Sequence, residues 1–162
     1  MDILSRQILT EIAVDHPAPK PRSETPSDHW TPAILLERAA YLKGLAKHGD
    51  GSASVTLKTY PQHFTMLSFR ARSGEAELHA AHADLFYVLS GSTILVTGGK
   101  IIGARTIGPG EVRGDSVEGG TPMELKQGDV AHVPAGTPHQ MLLAGEKTVT
   151  CFVMKIQEAP TA

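Results

Sequence analysis

Hydrophobic and polar positions fall into two textures along this chain, and the change comes near residue 51. Before it, Ile34, Leu35, Leu42 and Leu45 form one broad apolar face at helical spacing. Thr31-Pro32 precedes them as a capping threonine followed by proline at the first helical position. This predicts a helix over 32–47, with Gly49 as its stop. Further upstream, Ile3, Leu4, Ile8, Leu9 and Ile12 make the apolar side of a short amphipathic helix or an edge strand. Residues 16–26 hold four prolines and read as an extended linker. After residue 51 the chain turns into short apolar runs punctuated by glycine and proline. Strands are expected at 55–60, 64–70, 76–79, 84–90, 93–97, 100–104, 123–125, 130–133, 140–143 and 148–156. Gly98-Gly99 reads as a hairpin turn. No helical pattern separates these strands, so an antiparallel sandwich or barrel is expected rather than parallel βαβ units. Residues 105–120, with five glycines, read as a surface loop long enough to serve as a lid or a dimer arm. The expected division is an N-terminal extension over 1–51, a barrel over 52–157 and a tail over 158–162.

The most specific stretch runs from Gly128 to His139. Gly128-Asp129 is a tight turn, Val130 to Val133 an apolar strand, and Pro134 its end, because proline brings no N–H to a ladder. Gly136 and Pro138 then turn the chain so that His139 opens the next strand. The pattern G-x5-P-x-G-x2-H resembles the second signature motif of the cupin superfamily. A degraded first motif lies upstream: Gly91 closes it, Asp84 stands where a glutamate is expected, His79 takes the second histidine position and Glu77 the first. The resemblance covers roughly the last two-thirds of the chain. It implies an all-β fold, a double-stranded β-helix (jelly-roll) barrel, which the helix expected over 32–47 precedes as an N-terminal helical extension.

The same resemblance implies a divalent metal site, with His79, His139, Glu77 and Asp84 at ligand positions and His82, in the intervening turn, as a candidate further ligand. Glu77 and His79 are two apart and share one face of a strand. Two imidazoles and two carboxylates suit iron, manganese or zinc better than copper(I). Other roles stay open: Glu77 as a partner of Arg70 or Arg72, and Asp84 as a hydrogen-bond acceptor steering a ligand histidine. His139, Met141 and Leu143, with Phe86 and Val88, would make the barrel interior partly apolar. His132 reads as a core or surface residue, and His63 as one near the barrel mouth.

Composition narrows the partners. Over 162 residues, 15 basic and 17 acidic side chains give a net charge of −2, with no basic block. That argues against nucleic acid and against a polybasic membrane contact. Asp2, Arg6 and Glu11 interrupt any signal-like apolar region, and no run approaches a membrane span, so a cytoplasmic protein is expected. Cys151 is the single cysteine; it lies in an apolar strand and reads as buried and inert. The sequence carries no G-x-S-x-G, no phosphate-cradling G-x4-G-K-[ST] and no C-x-x-C. The cupin resemblance implies a metal-dependent enzyme acting on a small oxygen-rich metabolite by dioxygenase, isomerase or lyase chemistry. Glu77, where it does not coordinate, is the candidate catalytic general base. The alternative is a non-catalytic module that binds a small-molecule ligand. A homodimer is expected in either case, with the extension or strand 55–60 packed across the interface.

Overall fold

The computed structural model describes residues 27–158. The amphipathic segment over 1–14 and the linker over 16–26 lie outside the described residues, as does the tail beyond Glu158. One helix, α1 (Pro32–His48), is followed by β1 (Ser52–Thr59), β2 (His63–Arg70), β3 (Ala76–His79), β4 (His82–Thr97), β5 (Lys100–Ile102) and β6 (Arg105–Gly108). Then come β7 (Glu111–Gly114), β8 (Ser116–Glu118), β9 (Thr121–Lys126), β10 (Val130–Val133), β11 (His139–Leu142) and β12 (Val149–Gln157). Ten strands form one curled antiparallel sheet, and β5 and β8 pair separately as a small ribbon. The fold is the expected jelly-roll.

The sixteen-residue β4 joins the two halves of the barrel. Its first half pairs with β10 and β12, and its second half pairs with β9 and β11. The bend between them falls at Gly91, whose φ is +78°. A Cβ there would lie 1.9 Å from the Thr148 carbonyl oxygen, so only glycine lets β12 pass this closely. Next to the bend β4 carries a bulge: Leu89 has no partner on β12, where Thr150 faces Ser90 and Cys151 faces Val88, which increases local twist and helps the sheet fold over. Sequence periodicity divides this stretch into two strands, whereas the structure runs it through as one. The apolar interior lies between the halves and includes Phe86, Val88, Leu95, Val133, Met141, Val149, Cys151 and Val153. Burial pushes the Cys151 thiol up to about 12, in keeping with an inert side chain.

Thr31 caps α1 by accepting from the Ile34 N–H, with Pro32 at the first helical position. The buried stripe is Leu35, Ala39, Leu42 and Ala46, which packs on Leu67, Phe69 and Leu89. Ile34 and Leu45, expected on the buried face, are instead exposed. Alanines at two of the four contact positions let the helix approach the sheet closely. That narrows the buried stripe and leaves the larger neighbours outside.

Two further expectations are corrected. Residues 105–120 are not a loop: they form β6, β7 and β8, and β7 pairs along the whole of β3. Glycine punctuation hides the strand pattern. Gly114 is there because a Cβ would meet the Ile101 side chain at 2.2 Å, a packing demand rather than a flexible hinge. The Gly98-Gly99 turn has the positive φ values expected, but it does not close a hairpin. The edges beside the second half of β4 are already taken by β9 and β11, so β5 pairs with β8 instead. Among the described residues no helix is long and apolar enough to cross a membrane.

Candidate metal centre

Sheet register assembles the site. His139 lies directly opposite Glu77 across β11 and β3. Glu77 in turn lies opposite Arg113, and His79 opposite Glu111, across β3 and β7. Asp84 lies opposite Lys155 across β4 and β12. The turn before His139 is pinned to β3 because the Gly136 N–H donates to the His79 carbonyl at 2.7 Å. Gly136 has φ +74°, the backbone shape glycine supplies without strain.

Both histidines are oriented from behind. His139 Nδ1 lies 3.0 Å from the Thr137 carbonyl, and His79 Nδ1 lies 2.6 Å from Glu111 Oε2. A carbonyl and a carboxylate only accept, so each Nδ1 carries the ring proton and each neutral ring keeps its lone pair on Nε2. Those two lone pairs face the same region. His139 Nε2 is 3.3 Å from Asp84 Oδ2, and His79 Nε2 is 3.5 Å from that oxygen and 3.3 Å from Glu77 Oε2. Donor atoms of Glu77, His79 and His139 all lie within 4.8 Å of one another.

This arrangement fits a metal ion. Acceptors that face each other across about 3.3 Å repel unless a proton or cation lies among them. Ligands each about 2.0–2.2 Å from one ion sit roughly 3–3.5 Å apart in tetrahedral or octahedral arrangements, and these spacings agree. An imidazole that donates its far N–H to a carboxylate or carbonyl is the usual support for a metal-ligating histidine. Asp84 adds a further sign: it is 1% exposed, and among the described residues its Oδ1 has no hydrogen-bond partner.

The sequence reading leaves out several charged neighbours. The Lys155 ammonium lies 2.6 Å from Asp84 Oδ2 and 2.8 Å from His79 Nε2. Arg70 reaches Glu77 at 3.3 Å, and Arg113 reaches Glu77 at 3.6 Å and Glu111 at 3.5 Å. Of the two arginines weighed for Glu77, Arg70 is the partner. Three carboxylates (Glu77, Asp84, Glu111) thus face three cations (Arg70, Arg113, Lys155). Glu111 and Arg113 sit in the stretch expected as a loop. Lys155 lies near the end of the chain in an otherwise apolar strand, and its interruption of that pattern is the one sequence signal that marks it. His82 is not brought into the cluster; it begins β4 with its ring edge-on to Phe64 at 6.1 Å. His132 is exposed on β10, and His63 stacks on Tyr60.

The titration behaviour reflects these charges. Burial disfavours the Glu77 carboxylate, but hydrogen bonding with His79 and the Arg113 and Arg70 charges outweigh it and hold its pKa at about 2. Burial likewise opposes ionised Asp84, and His139, His79 and Lys155 overcome that to hold it far below the ordinary range. Burial opposes a charge on His79, yet hydrogen bonds with Asp84 and Glu77 push its pKa up to about 9, with Lys155 acting against them. The ring and the ammonium compete here. While Lys155 donates to Nε2 the ring must be neutral, and a proton on Nε2 requires the ammonium to turn aside. The point is built to hold one positive charge.

Acid sensitivity follows from the carboxylates. Glu77 is depressed from 4.5 to about 2 in the folded chain, so its stabilisation is complete above 4.5 and is lost as pH falls towards 2. The arginines preserve this direction whichever state His79 adopts. Urea midpoints of the metal-free protein should therefore fall across that interval, and less steeply in Glu77→Gln. Equal slopes in the two proteins would contradict the assignment.

Glu77, Asp84, His139, Arg70, Arg113 and Lys155 line a cavity of about 270 Å³ whose wall also includes Met66, Phe86, Met141 and Val153. A few charged and polar groups in a partly apolar cavity suit a small ligand.

Residues 66–155 match the family described as Cupin domain, and the chain belongs to that family. Its barrel is similar to the Schizosaccharomyces pombe Cnp3 cupin domain, at 14% identity and TM-score 0.49, over 66% of this chain and 61% of that one. It is also similar to the polyketide cyclase RemF from Streptomyces resistomycificus, at 18% identity and TM-score 0.48, over 68% of each chain. A third similar structure is KdgF from Halomonas sp., at 14% identity and TM-score 0.48, over 68% of this chain and 83% of that one. A search of curated proteins finds no match.

Proposed function

We propose that this cupin is a metal-dependent enzyme acting on a small, oxygen-rich, anionic metabolite inside the barrel. The observation that supports this most is the pair of Nε2 lone pairs, each fixed by a partner at Nδ1, converging with Glu77 and with Asp84 Oδ2 beside the cavity. His79, His139 and Glu77 would hold the ion, with Asp84 joining through Oδ2, the oxygen 3.3 Å from His139 Nε2 and 3.5 Å from His79 Nε2. Imidazole and carboxylate donors favour iron, manganese or zinc. Such an ion supplies Lewis acidity towards a chelating oxygen or, if iron, reactivity with dioxygen. The chain's own residues do the rest. Arg70 and Arg113 line the cavity beside Glu77 and offer guanidinium donors to a carboxylate. Met66, Phe86 and Val153 give the same cavity its apolar lining. Glu77, where it does not coordinate, is the candidate general base, and a weak one, since hydrogen bonding with His79 and the Arg113 and Arg70 charges hold its pKa at about 2.

Elemental analysis of protein purified without added metal is expected to find near-stoichiometric iron, manganese or zinc, and His139→Ala to lose it. With metal bound, small dicarboxylates such as oxalate or malonate should raise the melting temperature, and without metal they should not. A second reading, a binding module that captures its ligand without metal, is favoured by one observation: Lys155 already balances the cluster's charge. Metal-free wild-type protein that still binds a dicarboxylate would establish it.

We further propose a homodimer. Among the described residues β1 pairs only with β2, and Val55 on it is 41% exposed. Ile34, Leu36 and Leu45 of α1 are exposed as well. An open strand edge beside apolar side chains is the kind of surface that pairing covers. Light scattering at micromolar concentration should report twice the chain mass, and a monomer there would contradict the proposal.

A further inference from the structure

Lys155 occupies the region where the metal ligands converge. Its ammonium is within hydrogen-bond distance of Asp84 Oδ2, at 2.6 Å, and of His79 Nε2, at 2.8 Å. Its side chain is 13% exposed, and the β12 register holds it opposite Asp84. The same lone pair of His79 cannot serve an ammonium and a metal ion together. Nor would two positive charges share this space without strong repulsion, because water does not screen them well there. A lysine stem is flexible and its charge is compact. The cavity that Lys155 itself lines gives the displaced ammonium a place to go.

We infer that Lys155 is a built-in counter-ion that holds the place of the divalent ion, so that metal enters the site only as this lysine leaves it. The inference rests on the metal-dependent reading above. In the metal-free protein Lys155 keeps the buried Asp84 carboxylate paired and the barrel end intact. On loading, the ammonium swings into the cavity and adds to the positive wall made by Arg70 and Arg113. Lys155 is a positioning residue in this scheme: it sets how tightly metal is held and where an anionic ligand finds its counter-charge.

The test uses the full chain stripped of metal, with Zn2+ as the probe, titrated in competition with a chromophoric chelator. Lys155→Met keeps the stem length and removes the charge, and it should bind Zn2+ about tenfold tighter than wild type or more. Its metal-free form should melt below wild type, and Zn2+ should raise its melting temperature by more. In wild type, which needs no folded variant, reductive methylation of Lys155 followed by mass spectrometry should be slow without metal and several-fold faster with Zn2+. Zn2+ bound by both proteins with equal affinity, or a lysine equally protected in both states, overturns the inference and leaves the metal-dependent reading standing. Zn2+ bound by Lys155→Met but not by wild type overturns both, because the lysine then never gives way to a metal ion. Binding by neither overturns both.

Discussion

Asp84→Asn is expected to cost the metal-free protein about 3–5 kcal/mol of folding stability, the range for breaking a buried ion pair by removing one partner. The substitution keeps the shape and removes the charge. It leaves the Lys155 ammonium, 13% exposed, with no carboxylate at the 2.6 Å position Asp84 now fills. It also directs an amide towards two histidine lone pairs and Lys155, and an amide N–H facing the ammonium is repelled. Urea denaturation followed by the fluorescence of Trp30, the single tryptophan, reads the loss directly. Metal content should fall in the same variant, because the Asp84 carboxylate oxygen beside both histidine Nε2 atoms loses its negative charge. A change in midpoint worth less than about 1 kcal/mol would mean that the pair contributes no more than an exposed one.

Gly91→Ala is the other large effect. A residue with a side chain at φ +78° carries about 1–2 kcal/mol of strain by itself. Here the added carbon would also lie 1.9 Å from the Thr148 oxygen, and backbone cannot move aside there without unpairing β12 from β4. We expect a loss of about 3 kcal/mol or more, or failure to reach the native fold. Gly98→Ala is the control. It has φ +77° and nothing within 4 Å of the added carbon, so it should show the strain alone. Equal midpoints for the two variants would remove the argument that Gly91 is required by the close passage of two strands.

The helix, the strand-rich barrel and the turn that presents His139 were legible in the sequence because each rests on local chemistry. Thr31-Pro32 starts α1 whatever the helix later packs on. Gly128, Pro134 and Gly136 shape the second-motif turn within twelve residues, and the i, i+2 spacing of Glu77 and His79 puts both on one face of β3. Non-local contacts were not legible. Gly91 reads as a strand break until β12 is seen passing behind it. Glycines in 105–120 read as a loop until β7 is found paired along β3.

The site divides along the same line. His79, His139, Glu77 and Asp84 fall at motif positions and could be named from the family resemblance. Its counter-charges come from cross-strand register: Lys155 opposite Asp84, Arg113 opposite Glu77, Glu111 opposite His79. Register is chosen by the packing of whole faces against the core, since a slip of one residue turns every side chain to the other side. Sequence by itself determined which donors this cupin brings to its barrel. Only the tertiary structure decided that a lysine from the last strand stands among them, because that choice belongs to the alignment of β12 on β4 and to no residue alone.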